Sequence, residues 1–215
     1  MNKLIPIFLS SLLIVSTTPA FANKLLAVND DNVMFQSATY IPDPFNNSYF
    51  TLEKFERHGQ SHWYSFTGKA GQEVFIQTLV PDLPNSKNLS VCFDLLVGQE
   101  KITPDLAKRD YHDEFTNTDW IITCELKMAL PADGLYYIRA HDELYHYSIG
   151  DTGKFSLSVG TVDNLTLFDW FQVPFWLLHL HLFFENTIFV WLMLVLVTIL
   201  AIVIIAVLAK TKVIK

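Results

Sequence analysis

One feature constrains this chain more than any other: residues 187–209 form 23 consecutive uncharged positions dominated by Val, Ile and Leu. The hydrocarbon core of a bilayer takes about 20 apolar residues in helical form, so the run predicts a transmembrane α-helix. Lys210, Lys212 and Lys215 follow it directly, while Asp169 and Glu185 precede it. Basic residues collect on the cytoplasmic side of a span, which places 210–215 as a cytoplasmic tail and everything before the run outside. A lipid-anchor signal ends in its apolar tail, and the basic hexapeptide speaks against one. The run has no Gly for a GxxxG contact, no ionisable group for transport, and only Thr187 and Thr198 as polar side chains.

Residues 1–22 resemble a secretory signal peptide. Lys3 supplies the positive start, Leu4 to Val15 the short apolar core, and Ala20-Phe21-Ala22 the small-x-small cleavage site. About a dozen apolar residues fall short of the roughly 20 that a span takes. The expected organisation is therefore a signal peptide (1–22), an exported domain (23–165), an aromatic membrane-proximal segment (166–186), a span (187–209) and a tail (210–215). That is a single-pass inner-membrane protein whose domain lies in the periplasm or at the cell surface. Between 23 and 186 stand 11 basic against 22 acidic side chains, a net of −11. This balance excludes nucleic-acid binding through a basic face, which needs clustered Lys and Arg. The length suits one domain.

That domain predicts a mainly β fold. Residues 62–66, 73–79, 89–97, 120–130, 135–140, 145–148 and 154–159 alternate or have β-rich composition, with Gly, Pro and Asp between them. In 120–130 the apolar positions are Trp120, Ile122, Cys124, Leu126, Met128 and Leu130, which predicts a single buried face. Short strands at regular spacing indicate an antiparallel β-sandwich or jelly roll. The polar insert 103–118 is expected to be the longest loop, with room for a helical turn.

The order Trp63-Tyr64-Ser65-Phe66, then Ala70-Gly71-Gln72, then an apolar strand, resembles the first half of bacterial pre-peptidase C-terminal domains. Leu130 to Ala140 (Leu-Pro-Ala-Asp-Gly-Leu-Tyr-Tyr-Ile-Arg-Ala) and Phe155 to Val159 look like that family's closing hairpins. The resemblance covers roughly 50–159 and rests on turn and strand residues. It implies a small exported β-sandwich used as an accessory domain of proteases or to bind other macromolecules. No peptidase precedes it here.

Cys92 and Cys124 are the two cysteines, and an oxidising compartment favours a disulfide between them. By alternation Cys124 lies on an apolar face, whereas Cys92 shares a face with Asp94. A bridge then needs a bulge or an inter-sheet crossing, and two separate thiols are the alternative. His112-Asp113-Glu114 and His141-Asp142-Glu143 repeat a triplet that, with Asp119 and Asp151, offers oxygen ligands for calcium, the one candidate cofactor. The competing reading is a solvated acidic surface. His58 and His62 have metal spacing only on a helix, which Gly59 interrupts. Gly59-Gln60-Ser61-His62-Trp63 lacks the closing Gly of a nucleophile elbow.

Residues 167–184 hold seven Phe and Trp side chains. Trp170, Phe171, Phe175, Trp176, His179 and His181 are expected to meet a membrane interface or a partner's helices. Pro174 is expected to start or kink a helix, and His179 and His181, two apart, to point to opposite sides. Trp63, Tyr64, Tyr136, Tyr137, Tyr145 and Tyr147 divide between core and contact surface, and alternation alone does not say which half is which. The functional expectation is a non-catalytic, membrane-tethered binding or assembly module with lipid and protein partners. The alternatives are an accessory subunit of a larger membrane enzyme or transporter, and a free-standing hydrolase.

Overall fold

The alternating positions of the middle of the chain close into two facing sheets. A computed structural model describes residues 23–28, 31–57, 59–86, 88–143, 152–160, 162 and 165–213. The signal-like segment, His58, the segment 145–148 with Tyr145 and Tyr147, Asp151 and the last two residues lie outside these. The strands are β1 (Lys24–Leu25), β2 (Thr39–Tyr40), β3 (Tyr49–Phe50), β4 (Glu53–Phe55), β5 (Ser61–Gly68), β6 (Glu73–Pro81), β7 (Val91–Val97), β8 (Glu100–Ile102), β9 (Leu106–Asp113), β10 (Thr118–Ala129), β11 (Gly134–Asp142) and β12 (Gly153–Val159). Seven form one sheet in the order β1-β3-β12-β6-β10-β9, with β4 also on β12. Five form the other, in the order β2-β5-β11-β7-β8. Pairing is antiparallel except for β1 with β3 and β2 with β5, so the sandwich is mixed at its edges.

Tyr64, Phe66, Leu95, Tyr136 and Ile138 from the smaller sheet meet Val74, Ile76, Val80, Phe155, Leu157 and Val159 from the larger one, all essentially buried. Phe66 stacks on Tyr136 and Phe55 on Phe155. The two turns that carry the family resemblance touch each other: the Ala70 amide donates to Asp133 Oδ1 at 2.7 Å, beside Gly71 at a positive φ of 80°.

The expected single face of 120–130 is corrected. Pairing of β10 with β6 slips between Ile122 and Cys124, a β-bulge at Thr123. Before the bulge, Trp120 and Ile122 pack on the outer face with Leu79; after it, Cys124, Leu126 and Met128 join the inner core. The polar insert is also not a loop. Half of it is β9, an exposed edge strand whose Lys, Arg and Asp side chains discourage pairing with other chains.

Two helices follow: α1 (Leu167–Phe183) and α2 (Thr187–Val213). Thr166 and Asp169 cap α1 reciprocally, and Pro174 lies inside it without starting it. Proline there leaves the Trp170 carbonyl without its helical donor. Glu185, at φ 59°, turns the chain between the helices, with the Glu185 amide on Leu182 O and the Asn186 amide on His181 O, a Schellman closure. Asn186 then caps α2 by accepting from the Phe189 amide at 3.2 Å.

Among the described residues no helix is long and apolar enough to cross a membrane. The expected transmembrane helix, and with it placement as a single-pass inner-membrane protein, is therefore withdrawn.

Candidate binding face

Strands β5 and β11 alternate in register, so their aromatic residues sort by parity. Tyr64 and Tyr136 are fully buried between the sheets. Trp63 and Tyr137 stand on the outer face of the five-stranded sheet. There Phe35, from a short 3-10 turn, meets Trp63 at 5.4 Å and Tyr137 at 4.2 Å between ring centres. Arg139 pairs with Trp63 on one side and Asp94 on the other, giving a row across β5, β11 and β7. Its guanidinium lies 6.0 Å over the Trp63 ring.

Asp94 is the seat of this row. It is 1% exposed and accepts from Thr103 Oγ1 and Lys101 Nζ at 2.9 Å each, with His141 Nε2 at 3.4 Å and Arg139 Nε at 3.7 Å. Burial alone would raise its pKa. The hydrogen bonds from Lys101 and Thr103 and the neighbouring positive charge overcome that and hold it below the usual carboxylate range. Burial pushes His141 the other way, below its usual value, and Arg139 and Lys101 add to the shift against the pull of Asp94. At neutral pH Lys101 and Arg139 are thus the cations that hold Asp94. Arg139 Nε and His141 Nε2 are buried without a hydrogen bond of good geometry.

A second polar cluster lies inward from this sheet. His62 Nδ1 meets Asn32 Oδ1 at 2.8 Å, Asn32 Nδ2 donates to Glu53 Oε1 at 3.0 Å, and Tyr64 OH donates to the same oxygen at 2.9 Å. Burial first, and the Glu53 charge second, push the Tyr64 hydroxyl well above its ordinary pKa, so it remains a donor. Ser61 and His62 are neighbours on a strand and point to opposite faces, so they form no nucleophile–base pair.

The remaining candidates separate. His112 pairs with Asp119 at 2.7 Å at the end of β9, and Asp113 accepts from the Phe115 and Thr116 amides. Asp142, at the end of β11 in the five-stranded sheet, accepts from the Ser90 amide just before the neighbouring strand β7. The two triplets do not converge, and among the described residues no group of three or more His, Cys, Asp or Glu side chains is placed to hold a metal ion. Cys92 and Cys124 are bridged, with Cα atoms 5.2 Å apart. The bulge and a corner crossing both contribute, for the Val91 carbonyl of β7 accepts from the hydroxyls of Thr78 and Thr123. In α1, Val173 and Leu180 are buried against the seven-stranded sheet, while Trp170, Phe171 and Phe175 are exposed. His179 is exposed and bonds to the Phe175 carbonyl, whereas His181 is 2% exposed and stacks on Phe189. They do point to opposite sides. Asp94, Arg139 and Phe35 were not among the expected site residues. The strand register that joins Trp63, Arg139 and Asp94 is the signal for them, and it exists only once strand order is known.

No family model and no curated protein matches the chain. Solved structures similar to it include a periplasmic inhibitor of g-type lysozyme from Aeromonas hydrophila (18% identity, 65% of this chain and 98% of that one, TM-score 0.34). Its counterpart from Salmonella Typhimurium has 11% identity over 57% of this chain and 98% of that one, with a TM-score of 0.36. The pre-peptidase C-terminal domain of Bacillus anthracis collagenase has 15% identity over 57% of this chain and 93% of that one, with a TM-score of 0.32. The family whose turns and strands the sequence resembles is thus among these neighbours.

Proposed function

We propose that the chain is a non-catalytic, extracytoplasmic module that binds another protein through the outer face of its five-stranded sheet. The observation that carries this reading is the row Trp63–Arg139–Asp94, flanked by Phe35 and Tyr137 on the outer face of that sheet. Aromatic and arginine side chains dominate the energetics of protein interfaces. Asp94 holds Arg139 in place beforehand, which lowers the ordering cost of docking. The Cys92–Cys124 bridge supports an oxidising compartment. The opposite facing of Ser61 and His62 speaks against the hydrolase alternative.

A photo-crosslinking residue at Tyr137 tests the reading in cells. It should yield one discrete protein adduct that Arg139→Ala removes, with no such adduct from Lys127 on the other sheet. Equal crosslinking from both positions would sink the proposal. A second reading, a subunit of a larger assembly, is favoured by the exposed Ile188, Trp191, Leu192, Val195 and Leu196 of α2. Native electrophoresis separates the two, since a subunit migrates in a stoichiometric complex that Arg139→Ala leaves intact.

A further inference from the structure

On the opposite side of the sandwich, α1 bridges the outer face of the seven-stranded sheet and roofs a cleft of about 270 Å³. Six aromatic side chains line it: Phe50, Phe75, Tyr111, Phe115, Trp120 and Trp176. Asp113 is the single charged residue on its walls, and no Lys or Arg faces it among the described residues. The Asp113 side chain is fixed by accepting from the Phe115 and Thr116 amides at 3.0 and 3.4 Å, so the carboxylate is positioned before any ligand arrives. Ser156, Ser158 and Gln77 bring small polar groups to the floor.

Aromatic faces carry negative quadrupole charge and attract cations, most strongly away from water. A carboxylate among them adds a full negative charge, and the net charge of −11 between residues 23 and 186 raises the local concentration of cations. An anionic ligand meets repulsion from Asp113 with no basic group to offset it. From the lining and its charge we infer that the cleft binds a small organic cation, a methylated or quaternary ammonium with an apolar body. The site is distinct from the Trp63–Arg139 face and does not depend on its role.

The test uses the full chain, choline, and the neutral alcohol in which carbon replaces the choline nitrogen, with binding followed by calorimetry. Choline should bind about tenfold more tightly than the isostere, the difference expected of a desolvated cation on aromatic faces. Asp113→Asn keeps an oxygen for the two amides, and Trp176→Leu keeps the roof apolar. Each should reduce the preference for choline by about fivefold or more. Equal binding of choline and isostere would show an apolar cavity only and overturn the inference. Failure of both to bind, or retention of the preference in either variant, would overturn it equally.

Discussion

Asp94 is the residue on which the binding face depends. Removing it leaves Arg139 and His141 beside an empty seat and frees Lys101. Loss of one partner from a fully buried pair costs about 3–5 kcal/mol. Lys101 and Arg139 keep 54% and 38% of their side chains in water, so Asp94→Ala should cost less. About 2 kcal/mol is expected, measurable as a lower urea midpoint with an unchanged slope. His141 adds a pH dependence. Its folded pKa lies below the ordinary 6.5, so the unfolded chain takes up the proton first on acidification. Its contribution is complete above that value and is lost as pH falls below it. Between about pH 7 and pH 5, wild type should lose more stability than His141→Gln, and equal losses would refute the assignment. The lowered Asp94 pKa acts in the same direction, but only below its unfolded value of 3.8. At this scale the sequence was half legible. Alternation required some of Trp63, Tyr64, Tyr136 and Tyr137 to be buried, but burial depends on which side the second sheet covers, and that is a long-range fact.

Among the elements, six expected strands are present near their expected positions, because a half-buried strand writes its period directly into the chain. Two features escaped. The bulge at Thr123 reverses the outward side of β10 in mid-strand, and a continuous apolar alternation conceals it. Charged β9 carries the composition of a loop because an edge strand exposes both of its faces. Helix α1 was expected as an aromatic stretch, while its docking on Leu79 and Trp120 depended on that bulge. Its first turn rests on Thr166, which accepts from the Asp169 amide while Asp169 accepts from the Thr166 amide. Thr166→Ala should cost about 1 kcal/mol and speed amide exchange in the first turn of α1. Unchanged exchange there would mean that docking alone holds the helix.

For the whole molecule, Cys92–Cys124 joins the two sheets across 32 residues of chain. Closing a loop of that length restricts the unfolded state by about 3–4 kcal/mol in the chain-entropy account. Reduction should lower the unfolding free energy by that order, and a Cys92→Ala/Cys124→Ala variant should behave like the reduced protein. Urea titrations with and without a thiol reductant check both statements. The sandwich class was legible at this scale. The apolar run at 187–209 was legible as composition, but the placement inferred from it was not upheld.

The fastening of α1 has a mechanical consequence. Lys24 holds its start through Asp169 at 3.0 Å, and Lys154 holds its end through the Phe183 carbonyl and Glu185 at 2.6 and 2.7 Å. Lys154 lies on β12, which has paired strands on both sides. A pull on α2 therefore enters the sandwich at an interior strand, where it must shear two ladders at once. It does not peel an edge open.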